Sequence, residues 1–571
     1  MNLSNLLGGG HMRIAIWGAI LCLLISCGGG GSSSDATTVP TPNPSPVTPT
    51  PAPTPSTPPP STIEPAGISD SDGHRFLVQS TMGVGRDDIA NLQAVGYEQW
   101  IEDQIQMPAS SQLAYLLSRP EPENNFLGQA DRIDAWFRFA VQADDQLRQR
   151  VTFALSELMV VSDASILFDT PRGLADYYDT LSINAFGNFR ELMEVVTLHP
   201  AMGVYLSMLG NEKPDTSRNI RPDENYAREH MQLFTLGLVE LNLDGSVKVD
   251  SAGEPTPTYN QQIIEGFAHV YTGWTFGGSI NFSRPSFNYT VPMVAFPAFH
   301  DTGEKRLLSG VVLPAGQAPE EDLEQALDNI FNHPNVAPFI SLHLIRKLVT
   351  ANPSPAFINR VSLVFNNDAS GQRGNLKAVI RAILLDEEAR TITNETGGKL
   401  VEPILRLVQL WRAYDASAAS GRFFFPQPET FFAQAPLRSP SVFNFFSPNY
   451  APPGEISNQG LISPEMQITN ETTTASTHNY LALAVFLQNS STTDLREDAV
   501  AINIASELAF ANDPDALIAR ASKRLLGRPP SDSLRLQIEE MLTQIPANET
   551  AFRVTEVIHA IVTSNEFARQ P

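Results

Sequence analysis

The sequence predicts a mainly α-helical, multi-helix globular domain with a small β-hairpin-containing excursion near residues 240–315. Three observations predict it. Apolar residues recur at steps of three and four through most of the chain after residue 70. Pro, Gly and Asn interrupt those stretches. Alternating, turn-bounded segments are confined to the one excursion.

The chain opens with a different pattern. "MRIAIWGAILCLLISC", residues 12–27, has one cation, Arg13, then an apolar run from Ile14 to Ile25. That is the plan of a secretory signal peptide. The run falls short of the about 20 residues that a spanning helix needs. "LISC", residues 24–27, resembles a bacterial lipobox. The resemblance implies cleavage before Cys27 and lipid attachment there, and more than one acyl chain anchors stably to a membrane. Gly28 rather than Asp follows the cysteine, which by the same resemblance favours the outer membrane. Cys22 lies inside the apolar run. Residues 1–11 do not read as part of a signal, so Met12 competes with Met1 as the start.

Residues 28–70 are Gly, Ser, Thr and Pro, with twelve of the 44 prolines between Pro40 and Pro65. Such a segment buries no core and favours extended polyproline II. At about 3.1 Å per residue it reaches ~120 Å, the span of a tether. The domain plan is therefore a signal over 1–27, a tether over 28–70 and a helical body over 71–571, with a candidate subdivision near 395.

The body is acidic. The formal charge is −24, and residues 1–70 hold only Arg13, Asp35, Glu64 and Asp70 as charged groups. Phosphate binding needs concentrated Lys and Arg, so nucleic acid is excluded as a partner class. Both cysteines precede the tether. The body therefore has no disulfide, thiolate metal site or cysteine nucleophile.

Along the body, "DDQLRQRVTFALSELMVVS" places Leu147, Val151, Leu155 and Met159 at steps of four. "FRELMEVVTLHPAMGVYLSML", "APFISLHLIRKLVT", "GNLKAVIRAILLDEEAR", "EPILRLVQLWRAY" and "DALIARASKRLLG" repeat the pattern. In the excursion, "LNLDGSVKVD" sets Asp244-Gly245 between alternating residues and predicts a hairpin. "FNYTVPMVAF" and "KRLLSGVVL" predict further short strands.

Glu224 to Gly237, "ENYAREHMQLFTLG", predicts one amphipathic helix, with Asp223 as N-cap and Gly237 as stop. Helical spacing puts Tyr226, Met231 and Phe234 on the apolar side together with His230. A lone histidine there is more often a hydrogen-bonded core residue than a ligand. Glu224 and Arg228 form an i,i+4 pair, while Asn225, Glu229 and Gln232 form a polar row. Zincin spacing is absent, because no second His follows within the helix.

These letters carry a resemblance. "ENYAREHMQLFTLGL" with "YNQQIIEGFAHVYTGWTF" looks like the signature of the bacterial domain of unknown function 1800 family. "RFLVQSTMG", "LHPAMGVYLS", "HDTGEKRLLSG", "KLVEPILRLVQL" and "PLRSPSVFNFFSPNYAPPG" are similar to its other blocks, in order, so the likeness covers 72–571. His230 stands where an apolar residue is usual, and Gln232 where an acid is usual. The resemblance implies an exported, mostly helical protein. It also implies a neighbour that resembles alkaline phosphatases and sulfatases, hence a partner of that kind. It fixes no reaction.

Two further stretches offer candidate groups. "HDTGEKRLLSG" brings His300, Asp301 and Lys305 near one turn as base, carboxylate and cation, or as ordinary turn residues. "PLRSPSVFNFFSPNYAPPG" carries Phe443, Phe445, Phe446 and Tyr450, which suit a carbohydrate or peptide groove or a buried cluster. No nucleophile elbow, Walker loop, Rossmann glycine pattern or metal-ligand spacing is present, and no cofactor is indicated. Two functions follow. One is a binding or assembly lipoprotein with Asn225, Gln232 and the aromatic segment as binding candidates. The other is an envelope hydrolase, metal-assisted or not, with Arg228, Glu229, His300, Asp301 and Lys305 as the pocket.

Overall fold

The computed structural model describes residues 67–120, 127–391, 397–487 and 497–571. The signal, Cys27 and the tether up to residue 66 lie outside the described residues. Residues 62–571 cluster as one unit.

The body is mainly α-helical, with small antiparallel pairs. Its first part comprises α1 (Asp70–Ser80), α2 (Asp88–Gln106), α3 (Gln112–Ser118), α4 (Gln129–Gln142), α5 (Gln146–Ser156) and α6 (Pro171–Asn184). α7 (Phe189–Thr197), α8 (Pro200–Tyr205), α9 (Asn225–Glu229) and α10 (Gln261–Val270) lead into the excursion. After it come α11 (Pro319–Phe331), α12 (Val336–Leu348), α13 (Pro355–Asn366), α14 (Leu376–Leu385) and α15 (Glu387–Arg390). The last part holds α16 (Pro403–Ala413), α17 (Glu429–Phe432), α18 (Glu455–Asn458), α19 (Glu471–Phe486), α20 (Pro514–Leu526), α21 (Asp532–Thr543) and α22 (Thr550–Val562). Among the described residues no helix is long and apolar enough to cross a membrane.

Local chemistry explains the helix ends. Ser69, Asn260, Ser354, Asn375 and Ser531 each accept an orphan N–H of the first turn. Proline opens α6, α8, α11, α13, α16 and α20, where its missing N–H costs nothing. α5 is the most enclosed helix, with every residue from Gln146 to Ser156 buried. A helix buried all round has to satisfy its polar side chains inside the protein. That requirement shapes the interior around Arg150 and the residue that follows the helix, Glu157.

The excursion is less regular than its sequence suggests. β1 (Trp274–Thr275) pairs with β2 (Val294–Ala295), and β3 (Lys305–Arg306) with β4 (Val312–Leu313). The Asp244-Gly245 turn forms, with Gly245 at φ +78° and Asn242 bonded to Ser246. Its flanks make only isolated bridges, Leu241 to Val247, Val249 to Pro255 and Val239 to Pro257. Pro255 and Pro257 have no N–H to extend a ladder. A third pair, β5 (Lys399–Leu400) with β6 (Arg569–Gln570), ties the chain's end beside α12 and α16.

The helix expected over 224–237 changes type midway. α9 stops at Glu229, and His230–Thr235 is a π-turn. The Thr235 hydroxyl donates to the His230 carbonyl at 2.6 Å, and the N–H groups of Leu236 and Gly237 both reach the Met231 carbonyl. Gly237, at φ +75°, ends the segment. Such wide turns recur at functional sites. The α-helical wheel therefore describes only the first half of this stretch.

Candidate functional site

The turn at 300–310 divides its candidate residues between two ion pairs. His300 is fully buried (0% exposed). Its Nε2 meets Asp322 at 2.9 Å and its Nδ1 lies 2.9 Å from the Thr272 carbonyl. Lys305 donates to the same Asp322 at 2.6 Å and to the Gly303 carbonyl at 2.9 Å. Asp301 turns the other way. It pairs with His269 and accepts the Gly303 N–H at 2.7 Å. The His269 hydrogen bond, against the opposing effect of burial, lowers the Asp301 carboxyl to about 2. His300 packs onto Gly273, where a Cβ would stand 2.9 Å from the His300 nitrogen and φ is +87°. His300, Lys305 and Asp322 thus form a closed triad, and the sequence gave no cue to its acid.

On α9, Arg228 is spent on Glu224 at 2.9 Å. Asn225 is exposed and Gln232 half-buried. His230 is buried, with Nδ1 2.9 Å from the Tyr271 hydroxyl, and burial lowers its ring to about 3. Glu229 is only 7% exposed, and no hydrogen bond or ion pair engages its carboxylate among the described residues. The spacing had set Glu229 on the polar side, where solvent would have held it.

The aromatic segment divides as well. Phe443 is exposed, Phe445 and Tyr450 are half-buried, and Phe446 is buried. The Phe446 ring lies 4.3 Å from the Lys347 ammonium. That contact leads to a cluster that sequence reasoning missed. Lys347 sits 2.5 Å from Glu157 and 4.0 Å from Glu402. The Gln434 amide donates to both carboxylates, at 3.0 Å to Glu157 and 2.5 Å to Glu402. Lys399 joins Glu402 at 3.8 Å and Glu465 at 2.9 Å. Arg150 donates to the Lys347 carbonyl at 2.5 Å. Three cations and three carboxylates therefore share one interior, which is how buried charge becomes tolerable.

The two central carboxyls differ in state. Burial, and then the neighbouring Glu402, raise Glu157 to about 7 against the pull of Lys347. Burial would raise Glu402 too, but Lys347, Lys399 and Arg150 outweigh it and hold Glu402 well below the usual range. The pair therefore shares a proton near neutrality, the arrangement that separates acid from base roles in catalytic carboxyl pairs. The covering segment is strained, since Ala433, Leu437 and Asn444 sit at φ of +52°, +51° and +67°. Non-glycine residues pay about 1–3 kcal/mol for such conformations. The space beside Glu157, between Ser439, Asn444 and Phe445, is only about 10 Å³, enough for one water.

A larger cleft lies elsewhere. It measures about 500 Å³ and is lined by Arg75, Thr350, Asn352, Glu387, Thr391 and Gly398 among others. Ligand sites commonly fall within about 300–1,000 Å³. Its lining is rich in hydroxyl, amide and charged groups. Among the described residues no cluster of three or more His, Cys, Asp or Glu side chains is arranged to hold a metal.

The family model described as a protein of unknown function, DUF1800, matches residues 75–569. The chain belongs to the DUF1800 family. No curated protein and no solved structure matches it. The DUF1800 match spans α9, the 300–310 turn, the carboxyl cluster and nearly the whole cleft lining.

Proposed function

We propose that this DUF1800 chain is an exported lipoprotein, anchored through Cys27 at the cell envelope, that binds a partner or a polar polymer. The outer membrane is the proposed face and a phosphatase- or sulfatase-like exported protein the proposed partner. The observation that carries the binding role is the cleft of about 500 Å³ with its polar lining. The lipobox-like "LISC" and the Pro-rich tether support the anchored location.

The test compares capture of envelope components by the wild-type body and by Glu387→Lys with Thr391→Trp, which reverse a charge and fill space at the cleft. Loss of a specific partner or glycan in the variant is expected. Equal capture by both, or none by either, overturns the reading. In cells, Cys27→Ala is expected to move the protein from the membrane to the soluble fraction, and continued membrane retention counts against the anchor.

A second reading rests on the proton-sharing Glu157 and Glu402, with a water-sized space at Glu157. Such a pair suits general acid–base activation of water in an envelope hydrolase. Its test is hydrolysis of envelope polymers by the purified body, abolished in Glu157→Gln while the fold persists.

A further inference from the structure

The ends of α8, α9 and the start of α10 meet around one unpaired carboxylate. Glu229 closes α9, Tyr205 closes α8, and Tyr259 stands two residues before α10. Glu229 Oε2 is buried with no hydrogen-bond partner, and so is the Tyr259 hydroxyl. The cation nearest in sequence, Arg228, is turned to Glu224 at 2.9 Å and towards Gln261 at 3.5 Å. The charge of Glu229 reaches both phenols: burial first, and then Glu229, raise Tyr205 and Tyr259 to about 12 each. Both tyrosines are half-buried, so their rings connect the carboxylate to the surface.

A carboxylate buried without a partner is among the costliest arrangements in a protein interior. Elsewhere this body pairs its buried acids: Asp322 with Lys305, Glu465 with Lys399, and Asp163 with Arg132 and Arg438. Glu229 departs from that habit, and it does so where the helix widens into a π-turn. A single carboxylate gives a divalent metal too few oxygen ligands. A compact ammonium, by contrast, has three diverging N–H donors, which match one carboxylate oxygen and two separate phenol oxygens. Tyrosine rings also attract cations through their faces.

We propose that Glu229, Tyr205 and Tyr259 form a binding site for a primary ammonium group. The group comes either from a free alkylamine or from a lysine side chain of another protein. The site shares no lining residue with the large cleft and stands independently of it.

The test titrates the purified body with n-butylammonium chloride, with the capped peptide acetyl-Gly-Lys-Gly-amide, and with n-butanol as the neutral analogue, read by calorimetry or NMR. Saturable binding of n-butylammonium is expected, weakened by about tenfold or more in Glu229→Gln. Tyr259→Phe keeps the ring and removes the orphan hydroxyl, so it tests the site even where Glu229→Gln fails to fold, and weaker binding is expected there too. Peptide binding that matches the amine identifies a docking site for lysine. Binding of the amine alone identifies a small-molecule site. The proposal is overturned by any of three results: no saturation by about 50 mM amine, equal binding of n-butanol, or an affinity unchanged in both variants. A crystal in which one water bridges Glu229 and Tyr259 and stays there in the presence of the amine overturns it as well.

Discussion

Lys347 places its ammonium 2.5 Å from Glu157 in the interior and 4.3 Å from the Phe446 ring. Lys347 is also the cation shared by Glu157 and Glu402. Replacing it with the similarly sized Met leaves two carboxyls under the 433–446 segment with one cation fewer. Breaking a buried pair in this way costs about 3–5 kcal/mol. Urea unfolding of Lys347→Met is expected to show a loss of that order. A loss below about 1 kcal/mol would mean that the pair behaves as an exposed one.

The Glu157 carboxyl gives stability a definite pH dependence. Its folded value, about 7, lies above the ordinary value of 4.5. The folded state therefore holds the proton more tightly than the unfolded state. That contribution is fully present below the ordinary carboxylic range and is lost as pH rises through about 7. Its ceiling is ~3 kcal/mol. Glu402 has the opposite sign: its value is lowered, so its contribution is present above the ordinary range and lost in acid. Unfolding measured from pH 4 to 9 is expected to decline on the alkaline side in wild type, with a flatter slope in Glu157→Gln. Parallel slopes would remove the raised carboxyl from the account.

The sequence made the helices legible because their periodicity is local. Leu147, Val151, Leu155 and Met159 are all buried, as steps of four require. The excursion was placed correctly, but its strands run only two residues. The carboxyl cluster was not legible. Glu157, Lys347, Lys399, Glu402, Gln434 and Glu465 are scattered over three hundred positions, and each alone reads as a surface residue of a helix or loop. Only the fold brings them together. Asp322 was hidden for a different reason: in "PEEDLEQ" it looks like one of several acids favouring a helix N-terminus. The π-turn was invisible because α and π turns use the same letters, and so the burial of Glu229 was missed with it.

The 300–310 turn tests the difference between a closed triad and a half-open pair. Asp322→Asn strips the counter-charge from Lys305, which is 2% exposed. The expected loss is about 3–5 kcal/mol. Asp301→Asn affects a pair whose histidine side chain is 32% exposed, so solvent takes over much of the interaction. About 1 kcal/mol or less is expected there. Chemical denaturation of both variants gives the order directly, and a larger loss in Asp301→Asn would show that His269 rather than His300 organises the turn.

Left-handed helix ends give a paired prediction with opposite signs. Ala433 ends α17 at φ +52°, a conformation in which a Cβ is penalised by roughly 1–2 kcal/mol. Glycine adopts it freely, at some cost in unfolded-state entropy. Ala433→Gly is therefore expected to stabilise the protein by about 0.5–1 kcal/mol, provided that the strain is not offset by the side chain's packing. Gly527 ends α20 at φ +68°, and there a Cβ would lie 2.2 Å from the Cβ of His74. Gly527→Ala adds that clash to the backbone penalty, so α1 and α20 have to move apart, at a cost of about 1–3 kcal/mol or more. Thermal unfolding of the two variants should shift in opposite directions. A higher melting temperature in Gly527→Ala would refute the close approach of His74 to the end of α20.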